Sequence, residues 1–202
     1  MALLDPSTGV TAGAVPVRIR DAMPADAQAI ASIHIDVWRT TYRGHFPDVA
    51  LDALDLERWT KRREQRLREM PPKEICLVAE REGVVIGFAM AGPREFDDAS
   101  HDAEVYAIYV RDEHQRAGIG RALLGEAARR LDTLGLRGLL IWVLRENAKG
   151  RSFYERMGGR VERERPFEIA GARITETGYV WDDTSALRSR SAGGSGGKTQ
   201  RM

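Results

Sequence analysis

Residues 104–124, EVYAIYVRDEHQRAGIGRALL, place an alternating strand, a tight turn and the start of an amphipathic helix in direct succession. The turn is Gln115-Arg116-Ala117-Gly118-Ile119-Gly120-Arg121. Glycine lets the chain bend sharply, and the first N–H groups of the helix that follows have no partner inside it. The helix dipole adds partial positive charge at the same point, so the segment predicts a backbone cradle for a phosphate or pyrophosphate. Gly118 and Gly120 have no Cβ to hold phosphate oxygens away from the main chain, and Arg116 and Arg121 add charge. It is not a dinucleotide-binding G-x-G-x-x-G, because Leu123 occupies the third glycine position, and no Gly-Lys-Ser/Thr follows to make a P-loop.

The chain has 202 residues, enough for one domain with a core of its own. A formal net charge of +1 gives no broad basic field for nucleic acid. Cys76, the single cysteine, rules out an intrachain disulfide, and its apolar setting, Ile75-Cys76-Leu77-Val78, reads as core packing. No Lys or Arg precedes Arg18, and Asp5 and Pro6 interrupt the first apolar residues, which does not suit a secretory signal. No apolar run approaches a membrane span, so the expected location is the cytoplasm, with no membrane partner. The four scattered histidines form no metal constellation.

Hydrophobic periodicity orders the elements. Val17–Arg20 reads as a strand, and Ile30, Ile33, Val37, Trp38 and Tyr42 as one helix, with Pro24 at its first turn. Leu51–Arg68 is a second helical segment, stopped by Pro71-Pro72. Cys76–Glu82 and Val84–Ala91 form a hairpin about Gly83, and Glu104–Val110 is the strand before the turn. Leu123, Ala127, Leu131 and Leu134 make a helical stripe. A buried strand, Gly138–Leu144, a helix, Ala148–Met157, and two last strands, Arg160–Arg165 and Arg173–Trp181, complete the series. The expected organisation is a flexible leader over 1–16, one domain over 17–182 and a flexible Gly/Ser-rich tail over 183–202.

The glycine turn resembles the acyl-CoA-binding signature Q/R-x-x-G-x-G/A of the GCN5-related N-acetyltransferases, the GNAT superfamily, and the element order resembles that fold across residues 17–182. The resemblance implies an α/β (α+β) fold: a mixed, mostly antiparallel sheet of about seven strands, flanked by about four helices. Strands four and five would splay apart, with acetyl-CoA as co-substrate in the opening. It assigns the pyrophosphate to Arg116, Ala117, Gly118, Ile119, Gly120 and Arg121. It also assigns the pantetheine arm to the backbone of Ile108, Tyr109 and Val110, by strand addition. Asn147 and Tyr154, in RENAKGRSFYERMGG, fall seven apart as in the family. Asn147 is read either as a pantetheine contact or as a helix N-cap. Gly158-Gly159 stands where the family often has Gly-Phe.

The resemblance further implies acetyl transfer to a primary amine by direct attack in a ternary complex. Tyr154 is the candidate acid for the leaving thiolate, and a backbone N–H near Val110 would polarise the carbonyl. Glu104 is the candidate base, acting through water; alternation puts it on one face with Tyr106, Ile108 and Val110, and a strand-end glutamate in solvent is the other reading. Where some relatives that acetylate protein N-termini carry a catalytic glutamate on strand five, this chain has Trp142. His101 and Asp102 read as a mobile surface pair, and His34 as a partly buried helix residue. The acceptor, a small molecule or peptide, would meet Trp38, Tyr42 and Arg43, although Trp38 also suits the core. Arg58, Lys61, Arg62, Arg63, Arg66 and Arg68 alternate with Glu57, Glu64 and Glu69 and read as a solvated face rather than a nucleic-acid surface. A non-catalytic acyl-CoA sensor on the same fold is the alternative function. By analogy with similar proteins, a homodimer could form through the late strands, at Tyr179 and Trp181.

Overall fold

The computed structural model describes residues 16–94, 101–169 and 172–191. The expected leader, apart from Pro16, and residues 192–202 of the expected tail lie outside the described residues. The chain runs β1 (Arg18–Asp21), α1 (Ala27–Tyr42), α2 (Asp48–Asp52), α3 (Leu56–Arg68), β2 (Ile75–Arg81), β3 (Val84–Pro93) and β4 (Ala103–Val110). It continues as α4 (Ile119–Thr133), β5 (Leu139–Leu144), α5 (Ala148–Arg156), β6 (Arg160–Ile169), β7 (Ala172–Trp181) and α6 (Ser185–Ser191). The strands form one seven-stranded sheet in the order β1-β2-β3-β4-β5-β7-β6. Every neighbouring pair is antiparallel except β4 with β5. This is the mixed, mostly antiparallel architecture expected, with six α-helices rather than about four.

Each face of the sheet buries a helical stripe. Ile30 and Ile33 of α1 and Leu67 of α3 pack on Val78, Phe88 and Met90. On the opposite face Ile119, Leu123 and Ala127 of α4 meet Leu77, Ile86 and Val110, and Leu124 and Leu131 join Tyr154 of α5 against β4, β5 and β7. The β2–β3 hairpin turns on Glu82 (φ 52°) and Gly83 (φ 79°), the paired left-handed conformation that matches the twist of a two-residue turn. Cys76 lies in the core, and burial pushes its thiol up to about 12.

Several expectations need correcting. The single helix over Leu51–Arg68 is two, because Asp55 caps α3 by accepting from the Arg58 N–H at 2.6 Å and so ends the preceding turn. Part of the expected tail over 183–202 is folded: α6 packs on α4, with Leu187 fully buried and Arg188 paired to Asp132. Tyr179 and Trp181 offer no edge for a partner, since both are buried against α5 and β6 is the outer strand. Gly159 is required by this packing: a Cβ there would stand 2.6 Å from the Trp181 indole, which fills the space beside the helix end. His101 and Asp102 are not a mobile pair. His101 is buried and lies 2.9 Å from Asp182, and Asp102 accepts from the Arg137 N–H.

One irregularity in β4 reorganises the centre. The pairing with β3 goes from Met90↔Ala107 to Ala91↔Val105, so Tyr106 is an extra residue with no partner in the register. Side chains on either side of it change parity. Val105 packs toward α4 and α5, and so does Ile108, whereas Ala107 and Tyr109 face α1 and α3. Glu104, one residue from Val105, therefore shares the α1–α3 face with Tyr109 and not the face of Ile108 and Val110.

The first strand is locked by charge. Asp26 accepts from both terminal nitrogens of Arg20, at 2.7 and 2.9 Å, and from the Met23 N–H at 2.7 Å. The Arg20 hydrogen bonds hold its carboxyl below the usual carboxylate range despite burial. Asp26→Asn is expected to lower stability by about 1–3 kcal/mol, because it removes one of the two carboxylates, Asp26 and Glu80, that hold the half-buried Arg20 guanidinium. The gap between wild type and variant, read by urea melts, should be full above about pH 4 and close as pH falls through the depressed Asp26 value. A gap that stays constant to pH 2 would contradict this role.

Candidate active site

The two central parallel strands pair only at Glu104↔Leu140 and Val105↔Ile141, and beyond these they part. The Arg111 N–H bonds the Ile86 carbonyl at 2.9 Å. By alternation the Tyr109 backbone also turns toward β3, and the N–H and C=O groups of Ile108 and Val110 turn into the opening. The Gln115 side chain closes one of them by donating to the Val110 carbonyl at 3.0 Å. Of the three strand residues expected to meet an amide-bearing ligand, Ile108 and Val110 thus present backbone groups to the opening.

The glycine turn stands at the end of this strand. Arg116 has φ 62° and Gly118 φ 81°, two left-handed residues that swing the chain into α4. Gly118 is the N-cap and supplies no side-chain acceptor, so the first α4 amides face outward unpaired. Arg116, Ala117, Gly118 and Arg121 are exposed, and the Arg121 guanidinium leans over Gly118 at 3.8 Å from where a Cβ would be. The other two turn residues serve differently. Ile119 is buried and anchors the turn in the core. Gly120 faces α5, and a Cβ there would meet the Phe153 ring at 3.4 Å.

Helix α5 closes the other side. Asn147 is its N-cap, accepting from the Gly150 N–H at 2.8 Å, which establishes the capping role among the two readings of this residue. Tyr154 is 7% exposed and rests against Phe153, Tyr179 and Trp181, with ring centroids 5.2, 5.7 and 6.2 Å away. Among the described residues its hydroxyl has no hydrogen-bond partner. Burial, and secondarily the Tyr109 phenol, raises its pKa above the ordinary tyrosine value. Tyr154 and Tyr109 lie on opposite faces of the sheet, and they sense each other where the strands between them are unpaired.

The α1–α3 side of the opening is lined by aromatic rings. The Tyr109 hydroxyl accepts from the Trp38 indole N–H at 3.0 Å and is also hydrogen-bonded by Tyr42. Trp38 and Tyr42 stack edge to face at 5.3 Å, and both are half-buried, so they sit between core and surface. Arg43 is not part of this wall; it is exposed and tied to Asp48 and Asp52, the first and last residues of α2. Trp142 faces the same side from β5, over Gly178, with the Arg165 guanidinium 3.9 Å above its ring and Arg165 paired to Glu176 at 2.9 Å.

Three groups here escaped the sequence. Glu176 acts electrostatically on Tyr42 and Tyr109 from across the opening, a pairing only the sheet order creates. His34, 8% exposed, is ringed by Trp38, Trp59, Phe88 and Tyr109, and neither ring nitrogen has a partner. Burial and the charge of Arg63 push its pKa down to about 3, so it is neutral. Arg63, counted with a solvated face, turns inward instead. The signal was present: Trp59, Arg63, Leu67 and Met70 recur at helical spacing, with arginine in an apolar stripe.

The described residues hold no cluster of His, Cys, Asp and Glu able to bind a metal, and no described helix is long and apolar enough to cross a membrane. What they offer is an open strand edge, an anion cradle at its end and an isolated phenol beside it, which fits an acyl thioester on a pantetheine arm. The model of the acetyltransferase (GNAT) family matches residues 32–159. The chain is 36% identical to the uncharacterized N-acetyltransferase YuaI of Bacillus subtilis, over 85% of this chain and 96% of that protein. It is 26% identical to the spermidine N(1)-acetyltransferase of Thermoplasma acidophilum, over 72% of this chain and 89% of the relative. Among solved structures, yncA of Salmonella typhimurium with acetyl-CoA superposes with a TM-score of 0.63 at 25% identity, over 82% of this chain and 93% of that one. The chain belongs to the GNAT acetyltransferase family.

Proposed function

We propose that this acetyl-CoA-dependent N-acetyltransferase passes the acetyl group to the primary amine of a small molecule or peptide by direct attack, with Tyr154 as the acid. The observation that carries this reading is the Tyr154 hydroxyl, on a ring largely packed in the core, without a hydrogen-bond partner among the described residues and beside an unpaired strand edge.

In the ternary complex the pantetheine amides add to the Ile108 and Val110 backbone, and the α4 turn with Arg116 and Arg121 takes the pyrophosphate. The Val110 N–H lies where it can polarise the thioester carbonyl. The neutral amine nitrogen forms a bond to the carbonyl carbon, and the carbon–sulfur bond breaks with its electron pair going to sulfur. Tyr154 gives its proton to sulfur as that charge develops. The proton lost from nitrogen passes to solvent or back to the phenolate, so the products are an amide and a thiol. A raised phenol pKa keeps the hydroxyl protonated through neutral pH, and makes transfer favourable only in step with carbon–sulfur cleavage. Glu104 is the base that takes a proton from the acceptor ammonium before attack, giving the neutral amine. It shares the Tyr109 face, at the last pairs before the strands part, and reaches the amine through water.

Tyr154→Phe should lower kcat by about 10²-fold with acetyl-CoA affinity within about twofold, as expected for loss of a general acid. Steady-state kinetics beside calorimetric titration would read both, and unchanged kcat would remove Tyr154 from the mechanism. The two glycines of the turn should behave differently. Gly118→Val forces a β-branched residue to φ 81° and should weaken acetyl-CoA by about tenfold or more. Gly120→Ala adds a Cβ only 3.4 Å from a movable ring and should change affinity less than about threefold. Equal losses at both positions would contradict the assignment of the cradle.

A further inference from the structure

Helix α3 turns Trp59, Arg63 and Leu67 inward, with Met70 just beyond its end, and Arg63 is the anomaly in that stripe. Its guanidinium stands 5.9 Å from the centre of the Phe88 ring and donates to the Met90 sulfur, a weak acceptor. Among the described residues no carboxylate pairs with it. Comparable arginines in this protein are compensated: Arg20 by Asp26 and Glu80, Arg130 by Glu126 and Asp21, Arg165 by Glu176. Desolvating a cation without a counterion is unfavourable enough that proteins pair such groups, leave them wet or reserve them for a ligand.

His34 lies against the same spot from α1, and Arg63 acts on it directly. It is more than nine-tenths buried, with both ring nitrogens unpartnered. A neutral imidazole keeps one N–H to donate. A guanidinium without an anion and an imidazole without a partner thus meet beside Tyr109, whose strand borders the thioester site. On the same face of the sheet stand the carboxylates of Glu104, at the last pairs before the strands part, and of Glu176, which is paired to Arg165.

We propose that Arg63, assisted by His34, receives a carboxylate of the acceptor, so that the substrate class is an amine carrying its own carboxylate, as in a free amino acid. The anion docks between α1 and α3 and the ammonium end lies toward Glu104, where it loses a proton and faces the thioester. The uncompensated guanidinium disfavours a polycation at this position. This inference rests on the acetyl transfer proposed above.

The test uses the full chain with equimolar pools of L-amino acids and of the corresponding L-amino-acid amides, and with spermidine. Wild type should favour the acids over the amides by on the order of 30-fold in kcat/KM, and Arg63→Met should bring that ratio to about one. Arg63→Lys should recover part of it, a point charge replacing a two-pronged donor. Thermal shift supplies a readout independent of turnover. The acid pool should raise the wild-type melting temperature and leave that of Arg63→Met unmoved, with amides raising neither. Preference for amides or spermidine, or a ratio unchanged in Arg63→Met and Arg63→Lys, would overturn the proposal. Acetylation of amides without discrimination would leave the transferase reading intact while removing this one. Acid-specific thermal shifts without turnover would do the reverse.

Discussion

A parallel pair of strands at the centre of a sheet normally keeps its hydrogen bonds to the end, because each unpaired and buried backbone group is destabilising by about 1–3 kcal/mol. Here the ladder between β4 and β5 stops at Val105↔Ile141 and both strands continue. The rest of the molecule is arranged around that opening. Helix α4 crosses beneath β2, β3 and β4, and α5 holds Tyr154 against β5 and β7, so the halves of the sheet remain joined through helices while their edges separate. The extra residue at Tyr106 adds a change of face in the same strand. A ligand with amide groups can satisfy what the strands leave open, which makes the opening a binding site by the same rule that makes it unfavourable when empty.

Charge is distributed about the opening with similar economy. The glycine-turn end has a helix N-terminus and the exposed side chains of Arg116 and Arg121. The acceptor end has rings in place of water. Trp38, Tyr42 and Tyr109 form one hydrogen-bonded group, and the low dielectric around them strengthens the few charges present. In such surroundings Arg63 has no carboxylate partner among the described residues and His34 no hydrogen bond, and each is a group whose burial the proposed substrate carboxylate would compensate. The exposed acid–base pairs of α3, such as Lys61 with Glu57, carry far less consequence.

How much of this could be read from the chain follows from how local each feature is. The glycine turn over 116–121, the helix start at Asn147 and the helix carrying Tyr154 were readable as structure because their pattern lies within one strand, one turn and one helix. The order of elements was readable from periodicity, and only ends and breaks moved, as where Asp55 divides α2 from α3. Nothing in VYAIYV marks the extra residue in β4, because its cause is the register with β3, so the face of Glu104 came out wrong. Arg43 was misplaced because its partners, Asp48 and Asp52, sit on a helix that the pattern did not separate. Arg63 was grouped with the charged residues beside it in sequence, although it shares a face with Trp59 and Leu67. Glu176 reaches the site through strand order, which no single segment encodes.

The central claim is that acetyl-CoA pairs with the open edge of β4. Amide hydrogen exchange at residues 108–110, with and without acetyl-CoA, tests it most directly. The Ile108 and Val110 amides should exchange markedly more slowly with acetyl-CoA bound, while Tyr109, already turned toward β3, should be slow in both states. Saturating acetyl-CoA that leaves Ile108 and Val110 exchange unchanged would contradict strand addition and place the cofactor elsewhere.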